Sequence, residues 1–369
     1  MITQQTEVKS DVKITQLQQN IINNFQKGFP LCSNPYAEMA NKLNNRDSIL
    51  TNENQVTELA VFNALKGLDI LGVTSRIGPV FDHKKAGAST LAALAVKEEE
   101  LDRIASIVNQ FEQVNHNYAR STHFNKTNYN LWFVVTASDP VALNAALTRI
   151  EQLTGLKVLV LPMEASYHLD LAFSINVTGQ DSLKINNAYA CDIDDKFYQP
   201  LSEVKKSQLR KLIESGLPLK AKPYQNLAEI INASEEQVLA QIATWQQTGL
   251  IRRFGLVIKH RKLGYNANAM VVWNIQSKHV DAIAEQLAKR PEVSLCYRRP
   301  KRLPDWPYNL FCMIHGTDKD FVLNQIKTLT DQLSLVEVEK DILFSYKAYK
   351  QKGARYSKEK AIKNEVAHG

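Results

Sequence analysis

A chain of 369 residues, 44% hydrophobic and 22% charged, is long for one core and has an ordinary globular composition, so two or more domains are expected. Its formal net charge of +7 is weak evidence for a nucleic-acid partner, because seven basic and two acidic residues between Lys347 and Gly369 carry five of those charges. The four scattered cysteines form no CxxC pair and no apolar run reaches the length of a membrane span; a disulfide scaffold, a zinc site and a membrane protein are set aside, and a cytoplasmic location is expected.

In chain order, residues 1–11 read as a disordered lead. Residues 12–75 read as a first winged helix-turn-helix. Residues 76–175 read as a first ferredoxin-like unit, with strands at Leu91–Val96, Val114–Arg120, Tyr129–Ala137 and Leu156–Ile175 and helices at Lys97–Glu112 and Pro140–Leu153. Residues 176–200, polar and containing Gly179, Asn186, Asn187, Asp192, Asp194 and Asp195, read as a linker.

A second winged helix follows over residues 201–255. Its helices are expected at Lys205–Glu214, at Tyr224–Ile231 behind Pro223, and at Ser234–Gln247. Ser234 and Gln237 form a capping-box pattern, Glu235 and Glu236 suit the first turn, and Gly249 is a stop. Residues 256–346 repeat the βαββαβ order: strands Asn268–Ile275, Glu292–Arg298, Tyr308–His315 and Leu335–Phe344, helices Lys278–Lys289 and Asp318–Leu333. Residues 347–369 read as a solvated basic tail.

The two halves are copies. Gly28-Phe29-Pro30-Leu31 with Pro35-Tyr36 recurs as Gly216-Leu217-Pro218-Leu219 with Pro223-Tyr224, at offset 188. Arg76-Ile77-Gly78-Pro79-Val80 with His83 and Gly87 recurs as Arg253-Phe254-Gly255-Leu256-Val257 with His260 and Gly264, at offset 177. Tyr118, Arg120 and Tyr129-Asn130-Leu131 recur as Tyr297, Arg299 and Tyr308-Asn309-Leu310, at offset 179. Three blocks in one order indicate a tandem duplication. The fold class is therefore α+β, two copies of a winged helix plus a ferredoxin-like unit, paired as a pseudo-dimer within one chain. This is the architecture of the leucine-responsive (Lrp/AsnC) regulators.

The recognition helices do not suit DNA. Ser234–Thr248 has two acids and no base, and its expected counterpart, Thr51–Leu65, has Glu53 and Glu58 and again no base; phosphates would repel both. The cations lie elsewhere. Between Arg252 and Gly264, six of thirteen residues are basic or titratable, and the alternation of Phe254, Leu256 and Ile258 reads as an extended segment that aims Arg253 and His260 to defined sides. Tyr297, Arg298, Arg299, Lys301, Arg302 and Trp306 form a second cluster. Guanidinium forks bind carboxylates bidentately and flat rings suit a flat ligand, so the pattern points to a planar polycarboxylate. A solvated ribbon and basic loop with surface salt bridges is the alternative.

The run RRFGLVIKHRKLGYNANAMVVW, followed by CYRRP and WPYNLFCMIHG, resembles the siroheme decarboxylases of the heme d1 and alternative heme pathways. SRIGPVFDH, VNHNYAR and YNLWF of the first half resemble the partner subunit, so the chain is similar to a fused two-subunit form over residues 15–346. The resemblance implies loss of two CO2 from acetate side chains of siroheme, giving 12,18-didecarboxysiroheme through a monodecarboxylated form. It implies no added cofactor, since the iron belongs to the substrate. From the acidic helices and the lack of a long apolar run, neither DNA nor membrane is expected as partner; a homodimer of the whole chain stays open. The resemblance also implies essential pocket histidines. His260 and His116 are the candidates, each as proton donor or as axial ligand to the substrate's iron.

Arg253, Arg299 and Arg120 are expected on substrate carboxylates, and Tyr118, Tyr297 and Trp306 against the ring or as hydrogen-bond donors. His83 is a weaker match to His260. His123 and His315 are reserves, His315 being expected to end a strand, and Met270 is expected in the core. Leu295 stands where the family is expected to carry a histidine, and Leu91-Ala92-Ala93 replaces the Asn-Ala-Met run. One main pocket in the second half is therefore expected, with the first half contributing across the interface. A Lrp/AsnC-type regulator or tetrapyrrole sensor is the other function class.

Overall fold

The computed structural model describes residues 12–46, 55–169 and 199–357. The expected lead, nearly all of the linker, the end of the strand expected at Leu156–Ile175 and the last twelve residues of the tail lie outside them.

Each half opens with three helices: α1 (Gln16–Phe25), α2 (Pro35–Arg46) and α3 (Glu58–Ile70) in the first. The first half continues with β1 (Thr74–Phe81), the short α4 (His83–Ala86), β2 (Ala88–Leu94), α5 (Leu101–Asn109), β3 (Val114–Thr122), β4 (Leu131–Ala137), α6 (Pro140–Thr154), β5 (Leu159–Pro162) and β6 (Ala165–Leu169). The second half has α7 (Glu203–Glu214), α8 (Pro223–Ile230), α9 (Glu235–Gln247), β7 (Ile251–Ile258), β8 (Ala267–Trp273), α10 (Val280–Ala288), β9 (Val293–Arg298), β10 (Leu310–Gly316), α11 (Lys319–Gln332) and β11 (Lys340–Gln351).

Local chemistry sets the helix ends. The Ser234–Gln237 capping box forms, and Thr15 with Gln18 builds the same device on α1; such a cap contributes about 1 kcal/mol. The counterpart of α9 is corrected: α3 starts at Glu58, capped by Thr57, and so includes Lys66. The Thr57 side-chain oxygen accepts from the Ala60 amide, and Thr51 lies outside the described residues.

Each half supplies a single strand after its helices, and the two strands satisfy one another. β1 and β7 pair antiparallel with Gly78 opposite Gly255. Gly255 is required there, since a Cβ would stand 2.1 Å from the Gln26 carbonyl oxygen. Both helix sets close over one shared core, in which Ile21, Phe25 and Leu65 join Leu209, Tyr224 and Trp245. The Tyr224 hydroxyl donates to the Pro30 carbonyl across the halves at 2.8 Å.

The remaining strands form one sheet in the order β5-β2-β4-β3-β11-β8-β10-β9-β6. The first half contributes five strands and the second four; in each, four take the ferredoxin-like order, and the last part of the half crosses to the other. The strand expected at Leu156–Ile175 is thus two: β5 pairs with β2, and β6 pairs with β9. β11 likewise pairs first with β8 and then with β3. Because β5 and β6 are neighbours in sequence but lie at opposite ends of the order, the sheet curls round on itself. Helices cover its outer face. The inner face packs Ala93, Trp132 and Leu161 of the first half against Met270, Phe311 and Leu343 of the second.

This crossing corrects the reading of the tail as solvated over its first part. β11 runs to Gln351, opposite His116. Beyond it, the Thr136 hydroxyl donates to the Arg355 carbonyl at 2.9 Å, and Tyr356 packs edge-on against Phe81. The physical reason is the bare edge of β3, which needs a partner strand.

Candidate active site

Alternate residues of a strand share a face. On the inner face, the middle of the sheet is apolar and one end is not. There Tyr118 and Arg120 of β3, Asn268 of β8 and His315 of β10 meet His260 and Arg261, around a cavity of about 110 Å3. No acidic residue is among those described as lining it. The cavity therefore draws on both halves, with most of its chemistry from the second.

His260 opens a 3-10 turn, His260–Leu263, that closes at Gly264 in the left-handed region (φ 87°), and the Tyr265 amide returns to the His260 carbonyl at 3.3 Å. The turn follows β7 directly, so the ribbon aims His260 back over the sheet. Its ring centroid lies 5.9 Å from that of His315. His315 Nδ1 is 2.5 Å from Asn268 Oδ1. Arg261 donates to the Ser345 carbonyl at 2.5 Å and to its hydroxyl at 2.7 Å. Arg120 donates to the Leu343 carbonyl at 3.1 Å, which ties β3 to the other half's last strand.

Burial dominates the electrostatics. It pushes His260 down to about 4, helped by the charge of Arg253. It pushes His315 down to about 3, with His260 and Arg120 adding to the effect. Arg120 is lowered to about 10 by burial, against the opposing influence of Tyr118. Tyr118 is raised by burial, although Arg120 and Arg261 oppose this. The cavity is thus a desolvated, cation-rich space holding neutral imidazoles near pH 7.

The expected residues divide. His260, Tyr118 and Arg120 come together, and Arg253 is half-buried within electrostatic reach of His260. His116 stands one step away, its ring stacked on Tyr118 with centroids 6.0 Å apart and Nδ1 3.4 Å from the phenol oxygen. Burial, and then Arg76, lowers it to about 4. Trp306 does not line the cavity. It is buried on the inner face, edge-on to Trp132 at 5.1 Å and to Tyr308 at 5.0 Å, because the loop after β9 folds it over the apolar middle of the sheet. Met270 lies in the same core, as expected.

Tyr297 and Arg299 belong to the equivalent cluster at the other end of the duplication. Arg299 donates to the Leu161 carbonyl at 2.5 Å, mirroring Arg120, and its guanidinium lies 5.4 Å from the Tyr297 ring. His83 stands nearby, lowered by burial first. Here, however, Asp82 pairs with Arg252 at 2.5 Å. Burial alone would raise Asp82, but that bond and the amides of Lys85 and Lys84 hold it below its ordinary value. The matching position in the second half is Lys259. Strand register corrects the expected replacement of Asn268 by Leu91: two more residues separate Gly264 from its strand than separate Gly87 from its own, so the pair matching Asn268–His315 is Ser89–Thr136 and Leu91 stands where the second half has Met270. The first-half cluster thus contains an acid and lacks the second imidazole.

Sequence reasoning placed His315 in reserve, counted Arg261 only as one cation of the basic ribbon and gave Asn268 no role. The available signal was register: His315 and Asn268 lie directly opposite one another once β8 and β10 are paired. Among the described residues, no group of three His, Cys, Asp or Glu is arranged to hold a metal ion, and no helix is long and apolar enough to cross a membrane.

Comparison with known proteins gives consistent matches. The AsnC-like ligand binding domain matches residues 85–168 and 262–350, and the siroheme decarboxylase NirDL-like HTH domain matches residues 207–252. The siroheme decarboxylase NirDL subunit of Paracoccus denitrificans (strain Pd 1222) is 35% identical over 336 residues, covering 90% of this chain and 95% of that protein. The siroheme decarboxylase NirL subunit of Stutzerimonas stutzeri is 52% identical over 157 residues, covering 42% of this chain and 92% of that protein. The crystal structure of a siroheme decarboxylase NirDL in co-complex with an iron-uroporphyrin III analogue superposes with a TM-score of 0.62 at 23% identity, covering 93% of this chain and 94% of that one. At that identity the superposition carries the fold alone.

Proposed function

The chain belongs to the siroheme decarboxylases, and on that premise we propose that it removes CO2 from two acetate side chains of siroheme, giving 12,18-didecarboxysiroheme. The observation that carries the site assignment is the cavity with two arginines, two histidines and no carboxylate among its described lining residues. Its 110 Å3 equals three or four water volumes at about 30 Å3 each. That suits one carboxymethyl arm; a whole drug-sized ligand needs roughly 300–1,000 Å3. The reading is of one acetate buried at a time, with the macrocycle outside.

In each turn the bond between CH2 and the carboxylate carbon breaks. The electron pair stays on carbon, conjugated with the macrocycle, CO2 leaves, and one proton converts CH2 to CH3. The step consumes a proton and exchanges no electrons with an outside donor, so the iron enters only with the substrate. Arg120 and Arg261 hold the carboxylate oxygens inside, and Arg253 serves a neighbouring carboxylate.

His260 is the proton donor. Neutral at rest, it gains its proton when the substrate's own negative charge enters, since an opposite charge within about 4–6 Å favours the imidazolium. His116 acts through Tyr118. Exclusion of water from the reacting carboxylate favours its loss as CO2. Fusion of the halves favours the heme d1 branch. DNA is not assigned a role, because α9 carries Glu235 and Glu236 and no base.

Anaerobic incubation with siroheme followed by mass measurement tests the reading. The expected result is sequential loss of one and then two CO2 masses. Tight binding of unchanged siroheme would overturn it in favour of a sensor.

A further inference from the structure

We infer that Asn268 is a positioning residue for the decarboxylation, fixing His315 with its proton on Nδ1 and its Nε2 toward the cavity. The inference rests on the reading of this cavity as the acetate site.

Asn268 and His315 are direct partners in the antiparallel pairing of β8 and β10, and Asn268 Oδ1 is 2.5 Å from His315 Nδ1. An amide oxygen can only accept, so Nδ1 carries the hydrogen, and the tautomer follows from the bond at that nitrogen. The lone pair is then on Nε2. A proton taken up by His315 when the substrate carboxylate arrives goes to Nε2, on the cavity side it shares with the donor His260, rather than pointing at the strand.

The duplication provides an internal control. At the equivalent register stand Ser89 and Thr136. The Thr136 hydroxyl donates to the Arg355 carbonyl at 2.9 Å and accepts from Asn115 Nδ2 at 3.1 Å. That pair anchors residues past β11. The Asn268–His315 pair lines the cavity instead.

Charged and titratable groups face His315 from several elements. His260 and Arg261 come from the turn after β7, and Tyr118 and Arg120 from β3; β11 presents the uncharged Ser345 and Gln351. Arg253 acts on His260 from β7. All the ionised groups in this set are cations, so a carboxylate at position 268 would be the first fixed negative charge beside the ring.

Two variants and one spectroscopic measurement test this. In Asn268→Leu, which keeps the volume but cannot accept, kcat for CO2 release from siroheme falls on the order of 100-fold, the lower end of what a positioned acid contributes. KM stays within about threefold, because the arginines that hold the substrate are untouched. Asn268→Asp accepts the same bond, so kcat stays within about tenfold and the pH profile moves to higher pH, a carboxylate favouring the imidazolium. Nitrogen-15 shifts of the histidine side chains in substrate-free protein report His315 as the Nδ1–H tautomer in the parent and as a mixture in Asn268→Leu. Parent-like kcat in Asn268→Leu, equal losses in both variants with an unmoved pH profile, or an Nε2–H tautomer in the parent overturns the assignment. If the parent itself releases no CO2, the acetate-site reading fails, while the nitrogen-15 result still decides the tautomer.

Discussion

His260 and His315 lie with ring centroids 5.9 Å apart, in a cavity that also holds Arg120 and Arg261. Two imidazoles and two guanidiniums without an acid in the described lining form an arrangement that is stable only while the imidazoles stay neutral. An entering anion changes that balance.

The first prediction concerns pH and stability. His116 and His260 are lowered to about 4 and His315 to about 3, whereas the unfolded chain keeps them near about 6.5. Between those values the unfolded state binds more protons, so stability is full above about pH 6.5 and is lost as pH falls toward 3 to 4. Substrate-free protein should lose several degrees of melting temperature between pH 7 and pH 5. A His260→Gln/His315→Gln double variant should show a shallower dependence, and an equal slope in parent and variant would count against neutral buried histidines.

Catalysis should separate the histidines. His260→Ala is expected to reduce kcat by about 10²- to 10⁴-fold, the usual contribution of a positioned proton donor. His116→Ala, one ring removed from the cavity, should cost less than His260→Ala. Product masses in single-turnover reactions measure both. If the double Ala variant still decarboxylates siroheme at the parent rate, the histidine mechanism is wrong.

Arg120→Lys should behave as a non-conservative change. Arg120 bridges to the Leu343 carbonyl and lines the cavity, and a lysine cannot serve a backbone carbonyl and a carboxylate with one planar fork. KM for siroheme should rise by about tenfold or more, with a smaller change in kcat. An unchanged KM would remove Arg120 from the substrate contacts.

The first-half cluster should tolerate changes that the second cannot. Asp82→Asn removes the partner of Arg252, a bond with one buried end, and should lower stability by about 1–3 kcal/mol while leaving kcat within about twofold. Loss of activity on Asp82→Asn, with the fold intact, would indicate a working site at His83, Tyr297 and Arg299.

Trp306→Ala should cost about 3–5 kcal/mol, as for other buried aromatic truncations. Denaturant titration measures it, and a loss below about 1 kcal/mol would return Trp306 to the ligand surface.

The duplication was legible because its signals are local. Gly-x-Pro-Leu turns, capping residues and short aromatic motifs keep their spacing whatever packs around them. The element order could be read for the same reason. The pairing of each last strand with the other half could not, because nothing in β6 or β11 specifies which edge it will meet. His260, Tyr118 and Arg120 were found as members of repeats. Asn268 and His315 are 47 positions apart and become neighbours only through register. The burial of Trp306 was not legible, because composition cannot tell a ring that lines a ligand from one that fills a core.

The crossing of β6 and β11 also bears on assembly. Were the two halves separate polypeptides, a junction of this kind would form only by association, and its persistence would depend on protomer concentration. Here residues 12–169 and 199–357 share one chain, and the encounter is intramolecular, at an effective concentration set by the connecting segment. The two-half site should therefore survive dilution to levels at which a two-subunit counterpart would come apart.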